Sequence, residues 1–247
     1  MPIAYLSALT APERSARANQ HLGITLAFTA GALNAGGFLT IGQYTSHMTG
    51  MVSAAADNLA LGQIGLVLAA LLSIAAFVGG AATTALLVNW GRRGARRHVY
   101  LPPLLTEAVL LLVFGAVGAR LSPHEIVSVS LGAILLCFVM GLQNALITKI
   151  SNAEIRTTHV TGLVTDIGIE LGKLLYWNRD GGAPDRPAVQ ANRRRLRLHG
   201  LLVGAFFVGG VTGALAFKHV GFGAVIPLAL TLVLMSMAPA LAAPRRV

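Results

Sequence analysis

Thr45-Ser46-His47-Met48-Thr49-Gly50 occurs a second time, as Thr157-Thr158-His159-Val160-Thr161-Gly162. The match extends outward in both directions. Gly31-Ala32-Leu33-Asn34-Ala35 precedes the first copy, and Gly141-Leu142-Gln143-Asn144-Ala145 precedes the second. Downstream, Ala75-Ala76-Phe77-Val78-Gly79-Gly80 is answered by Gly204-Ala205-Phe206-Phe207-Val208-Gly209-Gly210. Three matches in the same order mark an internal duplication, and a duplication constrains the fold more than any single motif.

The duplicated unit is built for lipid. The 247 residues are 55% hydrophobic and 11% charged, with a mean hydropathy of +0.69. Soluble domains carry about 25% charged residues. The single cysteine, Cys137, lies in an apolar run and excludes a disulfide framework. The polar opening, with Arg14 and Arg17, leads into an apolar stretch longer than the roughly 7–15 residues of a signal-peptide core. It reads as a cytoplasmic tail over 1–19 that precedes a membrane span. The net charge of +10 does not imply nucleic acid as a partner. The basic residues fall in the connections between apolar runs, where the positive-inside rule puts them. The expected partners are the lipid bilayer and a small-molecule substrate.

A hydrocarbon core about 30 Å thick takes about 20 apolar helical residues to cross. Six stretches qualify, at about 22–43, 64–90, 101–121, 127–150, 199–218 and 222–241. Two further helices, about 46–61 and 157–176, are more polar and begin at the repeated motif, whose Thr and Ser suit a helix N-cap. Hydropathy alone leaves open whether they cross. If neither crosses and the N-terminus is cytoplasmic, only Arg120 and Lys218 fall outside, leaving 17 of the 19 basic residues within. If both cross, the 92–97 and 178–198 basic loops land on opposite sides, against the rule. The expected fold is therefore an all-α membrane protein with six transmembrane helices plus two short polar ones, re-entrant or partly spanning. With three crossings per copy, the two copies form inverted-topology repeats over 20–121 and 125–241. A basic cytoplasmic loop at 178–198 interrupts the second, and 242–247 forms a cytoplasmic tail. Pro102-Pro103-Leu104-Leu105 and Pro227-Leu228-Ala229-Leu230 open equivalent last spans, proline being tolerated in a first helical turn.

Ionisable and polar residues inside the membrane are the functional candidates. Asp57 lies on the first polar helix, and Asp166 and Glu170 on the second. Helical spacing sets Thr49, Ser53 and Asp57 on one stripe and Thr158, Gly162, Asp166 and Glu170 on another, read as its match. Both stripes suit a polar cavity between the repeats, or a hydrated interface. His47 and His159, each followed by a threonine (Thr49, Thr161), suit proton exchange near neutral pH, or capping and packing. No Cys/His cluster has metal-ligand spacing, and neither metal nor cofactor is expected. Asn34, Gln143 and Asn144 sit beside glycines within apolar spans, where they bond across helix interfaces or contact substrate at a midplane site. Gly79-Gly80 and Gly209-Gly210 read as packing surfaces. Glu107, in the second turn of its span opposite Thr231 in the other copy, reads as a snorkelling or vestibule residue.

Ala30-Gly31-Ala32-Leu33-Asn34-Ala35, then Phe38-Leu39, then Ser46-His47-Met48-Thr49-Gly50 resembles the opening motif of the YoaK family of bacterial membrane proteins. Gly141-Leu142-Gln143-Asn144-Ala145 with Thr157-Thr158-His159-Val160-Thr161-Gly162 resembles its other hallmark. The resemblance covers roughly 20–241. It implies a multi-pass inner-membrane protein concerned with small-molecule transport or efflux. This chain has Asn34 where the family often has Asp, and Met51 where it often has Asn after the Thr-Gly. The resemblance supplies no catalytic residues.

The expected function is thus a small-molecule permease working as a secondary transporter by alternating access. Proton coupling would run through Asp57, Asp166, Glu170 and the two histidines. An aquaporin-like channel shares the topology by analogy alone. An intramembrane enzyme using His159 and Asp166 lacks any accompanying nucleophile, so no enzymatic activity is expected. A scaffold, and a homodimer formed through the glycine-rich spans, are also compatible with the sequence.

Overall fold

The computed structural model describes residues 16–94, 98–120, 126–151, 155–178 and 188–241. The loop arginines 96 and 97, residues 179–187 of the 178–198 loop, and the terminal residues 1–15 and 242–247 lie outside the described residues. Helices α1 (Ala16–Ile41), α2 (Met48–Ala60), α3 (Ile64–Arg93) and α4 (Leu101–Arg120) make the first half. Helices α5 (Ile126–Ser151), α6 (Val160–Leu175), α7 (Arg193–Val220) and α8 (Val225–Leu241) make the second, with a 3₁₀ turn, Gly221–Ala224, before α8. The described residues contain no strand.

Glycine punctuates these elements. Gly62, at φ +70°, takes the left-handed conformation that closes the α2–α3 turn, which a side chain would strain. Gly221, at φ +62°, ends α7 in the same manner. Five helical stretches are long and apolar enough to cross a bilayer: 17–41, 64–93, 101–120, 131–151 and 193–237. Six were expected. The fifth stretch runs for 45 residues and contains the expected span 199–218 and most of the expected span 222–241, because only the 3₁₀ turn separates α7 from α8. The protein is an all-helical, multi-pass membrane protein.

Pairing in the first half is echoed in the second. Helix α1 packs chiefly on α7, and α3 on α5; α4 packs on α8, and α1 on α5. The short helices also correspond, α2 lying on α3 and α6 on α7. Glycines explain the two closest crossings. A Cβ at Gly31 would overlap the Phe206 carbonyl, and one at Gly209 the Phe28 carbonyl. In the other pair, a Cβ at Gly141 would overlap the Phe77 carbonyl, and one at Gly80 the Phe138 carbonyl. Every residue of the first crossing has its sequence counterpart in the second. In lipid, where apolar burial gains little between helices, such backbone approach supplies the packing that holds spans together. A hydrogen bond from Thr84 Oγ1 to the Leu142 carbonyl (2.9 Å) fastens the α3–α5 crossing further.

Leu22, Leu26 and Leu33 of α1, Leu104 and Leu111 of α4, and Leu136, Met140 and Leu146 of α5 fill the centre. The outer surface is also apolar: Leu68, Leu72, Val78 and Leu86 of α3 and Phe207, Val211 and Leu215 of α7 are all exposed. A ring of exposed large apolar side chains around an apolar core is the arrangement lipid tails require.

Candidate functional site

The repeated motif is held the same way in both halves. Asn34 Oδ1 accepts hydrogen bonds from the Ser46 backbone N–H (3.2 Å) and hydroxyl (2.9 Å). Asn144 Oδ1 accepts one from the Thr158 hydroxyl (2.7 Å). Each span asparagine therefore tethers the second residue of its motif, and the short helix starts from that tether. Thr45 and Thr157, the first residues, are fully buried with hydroxyl oxygens that make no hydrogen bond. His47 and His159 stand at the N-cap positions of α2 and α6 without making side-chain cap bonds. Instead each imidazole folds back over the glycine three residues on, so that a Cβ at Gly50 or Gly162 would overlap the ring. That contact accounts for the glycine that closes both motifs.

His47, Thr49, His159 and Thr161 are exposed. Arg156 Nη1 stands 3.5 Å from His159 Nδ1. Because α2 lies on α3 and α6 on α7, the two motifs occupy different helix interfaces. Two clefts among the described residues are lined by none of the ten residues singled out from sequence. One, of about 640 Å³, is apolar and lies among the end of α1, α4, the start of α5 and Phe222. The other, of about 1420 Å³, is basic and lies between the first turns of α1 and α7.

The carboxylates part company. Asp57 is exposed on α2, as are Thr49 and Ser53 of its stripe. Asp166 and Glu170 instead turn toward α7. Arg195 Nη2 is 3.0 Å from Asp166 Oδ2, and His199 Nδ1 is 3.7 Å from the same oxygen. Glu170, 3% exposed, accepts hydrogen bonds from Lys173 Nζ (2.9 Å) and from the Asn192 backbone N–H (2.6 Å). The bonded Lys173 ammonium, followed by the Asn192 N–H, holds the Glu170 carboxyl below the usual carboxylate range. The expected equivalence of the two stripes is thus corrected. With Thr45 aligned to Thr157, Asp166 and Glu170 correspond to Ala54 and Asn58, and Asp57 corresponds to the exposed Ile169. Helix α6 turns its charged face to α7 and leaves Val164, Leu171, Leu175, Tyr176 and Trp177 exposed.

One fully buried carboxyl–amide pair is a feature that sequence reading undervalued. Glu107 on α4 is fully buried, and its Oε1 accepts a hydrogen bond from Gln143 Nε2 on α5 at 2.8 Å. Glu107 Oε2 and Gln143 Oε1 have no hydrogen-bond partner. Among the described residues no Lys, Arg or His pairs with this carboxyl. It is not a snorkelling residue, because its side chain points into the bundle and makes its bond there. The signal available in sequence was a glutamate within an apolar span and a glutamine within another; nothing in hydropathy told that they meet. A carboxyl and an amide with two open acceptor oxygens can hold a proton or a cation. No group of three His, Cys, Asp or Glu that would bind a metal gathers among the described residues.

No curated protein and no solved structure matches the chain. The family described as "Protein of unknown function (DUF1275)" matches residues 22–238, which include both motifs, both glycine crossings and the Glu107–Gln143 pair. With that match over most of its length, the chain belongs to the DUF1275 family, of which YoaK is a member.

Proposed function

We propose that the chain is a secondary transporter of small molecules, coupled to protons through Glu107. The observation that carries this reading is the Glu107–Gln143 pair, a carboxyl buried among apolar helices and bonded across the contact between the first half and the second. An uncompensated carboxylate there is costly, and intramembrane carboxyls mark proton and ion pathways. A proton or a substrate cation relieves the cost on arrival and restores it on departure, which is the alternation that coupling needs. Glu107 takes the role that sequence alone gave to Asp57, Asp166 and Glu170, because the last two are engaged by cations and a backbone N–H at the start of α7.

The topology that goes with this reading has the halves entering the membrane from opposite faces. Six crossings, with α2 and α6 lying in the interface, keep 17 of the 19 basic residues cytoplasmic. The paired glycine crossings suit a pseudo-two-fold axis in the membrane plane. The exposed apolar stripe of α6, ending in Tyr176 and Trp177, suits a helix seated at the lipid interface. Rocking of one half against the other then exposes the site between them alternately to each face, in a bacterial inner membrane with both termini cytoplasmic.

Proteoliposomes carrying an imposed pH gradient, screened against labelled amino acids, nucleosides, weak acids and organic cations, test the proposal. Wild type gives a saturable flux that follows the gradient, and Glu107→Gln abolishes it while inserting normally. Unsaturable flux that ignores the gradient would point to a channel instead. Undiminished gradient-driven flux in Glu107→Gln would refute the coupling role.

A further inference from the structure

We infer that the cleft between the first turns of α1 and α7 binds a phosphate-bearing anion, through Arg17, Arg193, Arg194 and Arg197. The cleft has a volume of about 1420 Å³ and is lined by five arginines, from both helices, with no Asp or Glu among the described residues. Arg195 is engaged by Asp166; the other four are exposed and have no carboxylate partner among the described residues. Positioning makes this concentration of charge unusual. Arg193, Arg194 and Arg195 are the first residues of α7, whose first turn contains no acidic residue. There the helix dipole already favours negative charge, and the Asn192 side chain caps only the Arg195 N–H, so cations at that end repel what they sit on. An anion in the cleft satisfies the helix terminus and the arginines together. Guanidinium groups match phosphate oxygens in paired hydrogen bonds.

One observation beyond the charges points to a ligand. The cleft has an apolar wall, Ile24, Ile155, Leu198 and Leu201, where the basic mouth gives way to the spans. A phosphodiester headgroup with acyl chains fits both surfaces, and basic pockets between spans on the cytoplasmic side are where anionic headgroups bind. A soluble organic phosphate uses the same arginines and leaves the apolar wall uncovered. This inference rests on the membrane reading of the chain and not on transport, so it stands or falls separately from the role of Glu107.

The test uses full-length protein in detergent, with lipid retention read by native mass spectrometry and binding by thermal shift. The probes are phosphatidylglycerol, phosphatidylcholine with the same acyl chains, and glycerol 3-phosphate. Phosphatidylglycerol is retained in preference to phosphatidylcholine, and Arg194→Gln/Arg197→Gln weakens its binding roughly 10-fold. Arg17→Gln, on the other helix, weakens it by a smaller factor on its own. The pair Arg92→Gln/Arg93→Gln removes as much charge from the last turn of α3 and leaves binding unchanged. Glycerol 3-phosphate that stabilises wild type, and displaces the lipid, identifies a soluble phosphate as the source; its failure to do so identifies the lipid. Equal retention of the two lipids with no response to glycerol 3-phosphate overturns the inference. So does an equal loss in the two double variants.

Discussion

The two short helices begin from the same motif and end in different ways. Helix α2 reaches α3 through three residues, Leu61 to Gln63, and the Gln63 N–H closes the turn on the Asn58 carbonyl (2.8 Å). Helix α6 reaches α7 through residues 176–192, and the Asn192 N–H closes instead on the Glu170 side chain. Asn58 and Glu170 are equivalent positions, as are Gln63 and Asn192, each the N-cap of the helix that follows. A backbone bond suffices where the turn is tight. Where a long basic loop has been inserted, a carboxylate gathers its returning end, and Asp166 adds a clasp on Arg195. What the halves share, glycine crossings, asparagine tethers and the histidine over glycine, is scaffold. What they do not share includes the fastening of the second connection and the pair on which the proposed coupling rests. Glu107 stands opposite Thr231, and Gln143 opposite Leu33, so the buried carboxyl–amide pair has one copy only.

That division ranks the perturbations. Glu107→Gln has the largest effect, loss of gradient-driven flux to the level of protein-free liposomes, while Thr231→Val at the equivalent position leaves flux unchanged. Equal sensitivity of the two positions would erase the distinction between shared scaffold and unshared site. Next come the crossings. Gly31→Val and Gly141→Val each drive a side chain into a facing carbonyl and cost on the order of 3 kcal/mol in detergent unfolding. The two losses match, because the contacts do. Gly204→Ala, with open space around it, changes stability by less than about 1 kcal/mol.

Smaller effects come from the tethers. Asn34→Ala removes two accepted hydrogen bonds and Asn144→Ala one. Asn144→Ala also removes the bond that its Nδ2 donates to the Met140 carbonyl (3.0 Å), so at about 1 kcal/mol each the two losses are similar, and hydrogen exchange quickens just before α2 and α6 respectively. The smallest and most selective effect is acid sensitivity. The Glu170 carboxyl lies below its ordinary value of 4.5 in the folded protein, held there by Lys173 and the Asn192 N–H. A lowered carboxylate contributes stability at pH above 4.5 and loses it as pH falls through the folded value. Protection factors across 160–175 therefore drop with acid while those across 48–60 do not, and Glu170→Gln removes the difference. Parallel loss in both helices would place the fastening elsewhere.

Much of the scaffold could be read from the residues themselves. Apolar run lengths located each long helix, with the starts of α1 and α7 six residues earlier than expected, and the Gly79-Gly80 and Gly209-Gly210 repeats pointed to the crossings that use Gly80 and Gly209. The fifth and sixth expected spans count as one 45-residue helical stretch because only the 3₁₀ turn Gly221–Ala224 separates α7 from α8, which hydropathy does not register. The site was less legible, for two reasons. Hydropathy averages around a helix, so it cannot say that Glu107 faces inward and Asp57 outward. Partners such as Asp166 and Arg195, or Glu107 and Gln143, are separated by about 30 residues of chain and meet only through tertiary packing. Spacing alone had matched Asp57 with Asp166; aligning the motifs residue by residue removes that match.

The central claim is that equivalent ends of the two halves lie on opposite sides of the membrane, with Glu107 and Gln143 held between. Single cysteines at Gln63 and Gln190, both exposed, in a Cys137→Ala background, test it with a membrane-impermeant maleimide. In intact cells Gln63→Cys is labelled and Gln190→Cys is not, and permeabilisation exposes the second. Labelling of both from the same side would contradict the inverted arrangement and the site built on it.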